Sequence, residues 1–451
     1  MRNYIIILLF TVFYFLVPVP SVYADELSEL KIQMQKIQEE NLLLRKQLNE
    51  QKEQLNAQDN IIQPLMRKID DIEAKMSVSS TGEQEIKGVV EEILAEKEQE
   101  RELLNLFSEG GLDNMIFHGY TDLEWKNDEF DRAQGGTRGH NFFDNHHFNL
   151  WFGYRMADNL IAKGELEIEH AGEEWKLEFG DIEWKPFSND NLELLLGKVL
   201  VPLGIENPVH ASVWNKLISR PLPSISIIPG TYGDVGFEAR GWLPSYDDAK
   251  MRYHLYVVNG LGDNDADNIY EQNRLKRSRD NNNNKAVGGQ IALFPIKELE
   301  LGGSGYFGKW DDNGANDTFI SGAHLIYKKD PVEIRTEYVF QRIENANGAN
   351  SRDANLQGWY LQGAYKFSSL NINGFLNRCE AVSRYDWMNN EDGVAGLKQG
   401  AVPSGRSEQR IAFGLVFRPQ DWLQFKMEYL YRDQKDAEND NGLALQTVVN
   451  W

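Results

Sequence analysis

Two different spacings of apolar and polar residues divide this chain. From Asp25 to Met76 the apolar side chains recur at alternating steps of three and four, through Leu27, Leu30, Met34, Ile37, Asn41, Leu44 and Leu48. The series continues at Leu55, Ile62, Leu65, Ile69, Ile72 and Met76, with Gln51 and Gln58 at two further seam positions. About seven heptads on so narrow a stripe predict a coiled coil that associates with copies of itself, since a helix packed on its own domain shows a wider apolar face. Asn41 falls at an a position, where a buried amide sets register and oligomer choice. Pro64 has no N–H to donate and is expected to kink or end the first helix. Residues 77–111 read as a linker: a polar break over 77–82, then an acidic helical run with solvated charges, closed by Gly110-Gly111.

Past Leu112 the spacing falls to two. Phe117, Leu123 and Trp125 share one face of a strand whose other face carries His118, Tyr120, Asp122, Glu124 and Lys126. The same alternation recurs in Phe148–Tyr154, Leu160–Ile168, Trp175–Phe179, Met251–Val257, Trp359–Phe367, Ile411–Phe417, Leu423–Tyr431 and Leu443–Trp451. The runs between Leu112 and Trp451 predict about sixteen strands. Short turns, such as Ala157–Asn159, Ser188–Asp190, Lys329–Pro331 and Ser368-Ser369, alternate with long polar loops at 127–140, 261–284, 344–353 and 381–407. Such alternation predicts a transmembrane β-barrel over residues 112–451, all-β and antiparallel, preceded by the helical segment. The apolar face then meets lipid. The face bearing Lys163, Glu165 and Glu167, Glu333, Arg335 and Glu337, or Lys426, Glu428 and Arg432 lines a wet interior.

Composition narrows this further. A formal net charge of −22 excludes nucleic acid as a partner, and a mean hydropathy of −0.52 excludes a bundle of membrane helices. Residues 1–24 read as a secretory signal: Arg2, an apolar core from Tyr4 to Val17, and small residues at Val22-Tyr23-Ala24. The single cysteine, Cys379, excludes an intrachain disulfide.

One stretch departs from the plain strand–turn pattern. A strand is expected from Leu192 to Gly204 and another from Asp234. Between them, Ile205–Tyr232 is aperiodic and rich in Pro and Ser. A loop of roughly 28 residues is long unless it is functional, and folding into the barrel is one such case. The run Gly197-Lys198-Val199-Leu200-Val201-Pro202-Leu203-Gly204-Ile205-Glu206, with Ser219-Arg220-Pro221-Leu222-Pro223 after it, resembles the phosphate-selective porin O and P family of Gram-negative outer membranes. The resemblance implies a trimeric sixteen-stranded porin in the cell outer membrane with its coiled coil in the periplasm. The alternating apolar residues that end at Trp451 likewise resemble the insertion signal of outer-membrane barrels. That family moves anions along a ladder of Arg and Lys, whereas here acids and bases interleave and the barrel segment is acidic.

The expected function is passive diffusion of small hydrophilic solutes or ions, with anions such as phosphate as the resemblance implies. The candidate constriction residues are His210, Lys216 and Arg220 on the loop and Arg240, Arg252 and Arg335 on the wall. The rival reading is a structural tether, a plugged barrel that holds the coiled coil to peptidoglycan. No Gly-x-Ser-x-Gly, zinc-protease or phosphate-loop motif points to an enzyme, and no cofactor is expected. His140, His146 and His147 lie close in sequence, but no carboxylate stands beside them at ligand spacing, so they read as polar residues of the pore mouth and not as a metal site. The basic cluster Arg274, Lys276, Arg277, Arg279 and Lys285 reads as an exposed loop, or as a contact for the acidic sugars of lipopolysaccharide.

Deleting residues 25–76 should lower the heat resistance of the oligomer on a seminative gel while leaving a folded barrel. An equally heat-resistant trimer would remove the assembly role of the seam.

Overall fold

A strand wall with lipid on one side and polar groups on the other needs alternation along every strand, and the chain supplies it sixteen times. The computed structural model describes residues 114–127, 129–130, 140–243, 249–262, 280, 282–344, 353–390, 406–434 and 440–451. The signal, coiled coil (Asn41 included) and linker expected over 1–111 lie outside the described residues, as do Arg274, Lys276, Arg277 and Arg279. The first half of the wall is β1 (Met115–Lys126), β2 (Phe142–Ala157), β3 (Leu160–Glu169), β4 (Glu174–Trp184), β5 (Glu193–Leu200), β6 (Gly233–Leu243), β7 (Lys250–Val258) and β8 (Ala286–Ile296). The second half is β9 (Leu299–Lys309), β10 (Asp317–Lys329), β11 (Val332–Ile343), β12 (Ala354–Lys366), β13 (Cys379–Asn390), β14 (Arg406–Gln420), β15 (Leu423–Gln434) and β16 (Asp440–Asn450). Each strand pairs antiparallel with its neighbours in sequence. β1 meets β16 in the register Tyr120↔Asn450 to Lys126↔Ala444, so the barrel closes and no edge is left unpaired.

The two faces differ as the alternation requires. Phe117, Phe152, Leu177, Leu255, Ile291, Phe307, Phe413 and Tyr429 are exposed on the outside. Their sequence neighbours Glu178, Glu428, Ala412 and Tyr306 are buried inside. Trp451 lies on the outer wall, its ring 5.7 Å from that of Phe148, and its backbone exchanges hydrogen bonds with Gly119.

Four connections differ from the sequence expectation. β5 stops at Leu200 rather than Gly204: Pro202 has no N–H for the ladder, and Gly204 takes φ +72°, which turns the chain off the wall. The rim of long loops is not uniformly long, because β3 and β4 are joined by His170–Glu173 alone, with φ positive at His170, Ala171 and Gly172. The β12–β13 connection is longer than Ser368-Ser369, running from Phe367 to Arg378 through two 3-10 turns. β13 reaches Asn390, well inside the loop expected over 381–407.

Phe413, mid-strand on β14 and 58% exposed, tests the outer face. Phe413→Arg should destabilise the barrel in lipid vesicles by about 2–4 kcal/mol in guanidinium unfolding. An unchanged midpoint would contradict the outward placement.

Candidate functional site

The segment between β5 and β6, Val201–Tyr232, does not stand over the rim; it turns into the barrel and is fastened there. Asn207 closes its neck. The Asn207 amide donates to the carbonyls of Val201 (2.7 Å) and Tyr232 (3.0 Å), and its Oδ1 accepts from Tyr232 N–H (2.6 Å). Just inside, Gly204 N–H donates to Ser304 Oγ on β9 (3.0 Å), and Gly204 O accepts from Gln290 on β8 (2.9 Å). Ile205 N–H donates to Glu337 on β11 (3.1 Å). A Cβ at Gly204 would lie 2.5 Å from both Glu337 Oε1 and Ile228 Cδ1, so glycine is required there for close approach as well as for its φ.

The far end of the loop is held harder. Glu428 on β15, fully buried, accepts from the N–H of Ile218 (2.5 Å) and of Ser219 (2.8 Å), and from the Ser219 hydroxyl. Arg384 on β13 donates to Ser219 O (2.9 Å), Ser219 Oγ (2.7 Å) and Asp386 (2.8 Å). Asp386 in turn accepts from Leu222 N–H (2.9 Å), the first residue of a one-turn helix, α1 (Leu222–Ser226). Lys426 and Gln424 donate to the carbonyls of Ser212 (2.5 Å) and Val213 (3.0 Å). These bonds satisfy backbone groups that the barrel interior hides from water, and they satisfy the wall charges at the same time.

Between the polar fasteners the loop rests on an apolar seat. Leu203, Leu222, Ile227 and Ile228 pack with wall residues Ile320, Val339, Leu356 and Met388. Leu217 packs with Val382, Ala412, Val416 and Leu430. Trp214 stacks on Trp151 of β2 at 5.5 Å between ring centroids. α1 sits so close to β12 that a Cβ at Gly358 would be 3.3 Å from Pro223 Cβ.

The body of the loop thus rests against β10–β16, β1 and β2, with its neck tied to β8, β9 and β11. Against β3–β11, toward the rim of short turns, a cavity of about 460 Å³ remains. Arg240, Arg252 and Arg335 all line it, with loop residues Pro202, Gly204, Ile205, Pro208 and Val209 on the opposite side. Each of these arginines is paired: Arg240 with Glu183 (2.9 Å) and Glu193 (2.8 Å), Arg252 with Glu300 (2.8 Å), Arg335 with Glu333 (2.7 Å). Lys216 joins this group through Glu333 (2.9 Å) and also meets Glu380 (2.5 Å). Arg220 and His210 do not line the cavity. Arg220 is half-buried beside Gly230, and its Nε and Nη2 have no hydrogen-bond acceptor among the described residues. The His210 ring pairs with Asn207 O (2.9 Å) and approaches Glu165 and Glu167.

Sequence reading missed the fasteners Arg384 and Asp386, which fell inside an expected loop, and it could not see what surrounds the histidines. His140 stands apart beside Phe142, whereas His146 and His147 meet His170, with ring centroids 3.8 Å (His146–His147) and 5.3 Å (His146–His170) apart. Carboxylates are at ligand distance after all, supplied by the neighbouring strands: Asp122 on β1, Glu167 and Glu169 on β3. Only the strand register brings them there. On the rim, the Asp144 carboxylate 2.8 Å from the His170 ring holds that imidazole's pKa above its ordinary value.

Residues 126–449 match the family described as "Putative beta-barrel porin-2, OmpL-like". The chain is 26% identical to an uncharacterized protein of Aquifex aeolicus (strain VF5) over 67% of this chain and 73% of that one. Among solved structures it is similar to the anion-selective porin from Comamonas acidovorans, with 12% identity, TM-score 0.50, and cover of 75% of this chain and 99% of that one. It is also similar to the trimer form of OmpT, an outer membrane protein of Vibrio cholerae, with 10% identity, TM-score 0.49, and cover of 75% and 99%.

Removing the carboxylate of Glu428 would strand two loop N–H groups. Glu428→Ala should cost about 2–4 kcal/mol and open the loop to trypsin at the Lys216–Leu217 bond, read by mass spectrometry of the fragments. Unchanged stability and unchanged protease resistance would contradict the fastening.

Proposed function

The chain belongs to the putative beta-barrel porin-2, OmpL-like family, and from that premise we propose that it is a passive diffusion porin of a Gram-negative outer membrane, narrowed by Val201–Tyr232. The observation that carries this reading is the loop fastened to one side of the lumen, with a charge-lined cavity left on the other. The rim of short turns faces the periplasm and the rim of long loops faces outward, in contact with lipopolysaccharide. The heptad seam of residues 25–76 joins three chains in the periplasm.

Selectivity at such a passage follows local charge rather than the net −22 of the chain. Five bases (Lys163, Arg240, Arg252, Lys328, Arg335) face four acids (Asp181, Glu238, Glu300, Glu333) around the cavity. Lys216 adds positive charge on the loop but meets Glu333 and Glu380, and Arg220 lies away from the cavity. With Glu183, Glu193 and Glu380, the further partners of Arg240 and Lys216, acids and bases are in near balance, which supports passage of small hydrophilic solutes and ions with little preference for either sign. Tight phosphate selection would need an unopposed basic ladder, and here the wall bases already hold carboxylates.

Purified protein in a planar bilayer should conduct. Lys216→Glu with Arg220→Glu should move the reversal potential toward cations, while the same changes at Arg277 and Arg279 should do much less at ordinary salt, where exposed charges are screened within about 8–10 Å. Absence of any conductance would favour the plugged tether. Equal small shifts from both pairs would remove the loop from the conducting path.

A further inference from the structure

Three strands converge on a set of donors at the rim of long loops that the passage of solutes does not use. His147 on β2 pairs in register with Glu169 on β3, and Glu167, two residues earlier, lies on the same inner face. One ligand atom from each of His147, Glu167 and Glu169 lies within 4.8 Å of the other two, and His147 Nε2 is 3.9 Å from Glu169 Oε1. The other ring nitrogen, Nδ1, is 2.8 Å from Asp122 Oδ2 on β1. A proton on Nδ1 directed at that carboxylate leaves the Nε2 lone pair facing the two glutamates, the arrangement by which a carboxylate orients a metal-binding imidazole.

Glu167 is a second, independent observation that favours a cation at this cluster. It is 1% exposed; its Oε2 accepts from Asn149 (2.9 Å), but its Oε1 accepts no hydrogen bond from the described residues. A buried carboxylate oxygen without a donor, beside a second carboxylate, is costly. Lys176 Nζ on β4 pairs with Glu169 and stays 4.0 Å from Glu167 Oε1. That side chain is 32% exposed and flexible, so it can swing to solvent.

We propose that His147, Glu167 and Glu169 form a binding site for a divalent transition metal of the zinc class, with Asp122 orienting the imidazole and Lys176 as the cation it displaces. One nitrogen and two carboxylate oxygens with a position left for water is a donor set such ions take, with ligand atoms roughly 3–3.5 Å apart around a tetrahedral ion.

The test uses untagged full-length protein in detergent, stripped with a chelator and titrated with zinc chloride by calorimetry, with heat-modifiable gel mobility confirming that each variant is folded. One zinc per chain is expected. His147→Ala and Glu167→Gln should each weaken binding at least tenfold, and Asp122→Asn by about 10–100-fold. Lys176→Met should tighten it several-fold, a direction that structural damage does not produce. No zinc uptake by either wild type or Lys176→Met, or binding unchanged in folded His147→Ala, would overturn the proposal.

Discussion

A peptide segment laid inside a barrel must find a partner for every N–H and C=O that it takes out of water, and this requirement shapes the rest of the molecule. The wall meets it with charge. Glu428 takes two consecutive loop amides and a hydroxyl, Arg384 takes the carbonyl and hydroxyl of Ser219, Asp386 takes the start of α1, and Glu337 takes Ile205. None of these wall groups would be tolerable buried alone, and none of the loop amides would be tolerable there without them. Loop and wall are therefore one polar network, and the apolar seat beneath Leu222, Ile227 and Ile228 fills the space that the network leaves.

The inner wall is consequently divided rather than uniformly polar. Val339 and Leu356 sit under the loop, whereas Glu333 and Arg335, nearer the rim of short turns on β11, border the open cavity. Inner-wall bases are held by inner-wall acids, so the passage carries dense charge of both signs. A solute crossing it passes through strong local fields with little net bias, which fits a general hydrophilic pore better than a dedicated phosphate channel.

Much of this was legible in the sequence. Alternation on β1, β14, β15 and β16 is sharp because lipid demands large apolar side chains on one face, and it gave the barrel and its closure. Where both faces are polar or both apolar the signal fails. On β13 Glu380, Arg384 and Asp386 point inward while Ser383 and Tyr385 point outward, so both faces are polar, the strand reads as a loop and its fasteners escape notice. Val201-Pro202-Leu203 is apolar like the strand before it, so in sequence the neck is indistinguishable from wall. The run Gly197–Glu206 with Ser219–Pro223, which resembled the phosphate-selective porins, contains the points where the loop is bolted down: Gly204, Ile205 and Ser219. It speaks to how the loop is held rather than to what passes. The His147 cluster was invisible for a different reason: its donors come from separate strands, and only register unites them.

A disulfide between loop and wall tests most directly whether Val201–Tyr232 lies against the inner wall. Pro223 Cβ lies 3.3 Å from where a Cβ at Gly358 would be, a few tenths short of the usual span across a disulfide. Pro223→Cys with Gly358→Cys, in a chain whose buried Cys379 is replaced by serine, should oxidise in the membrane to a bridge seen as a reducible shift in gel mobility. Two thiols that stay free under oxidant in a folded barrel would show that the loop lies elsewhere.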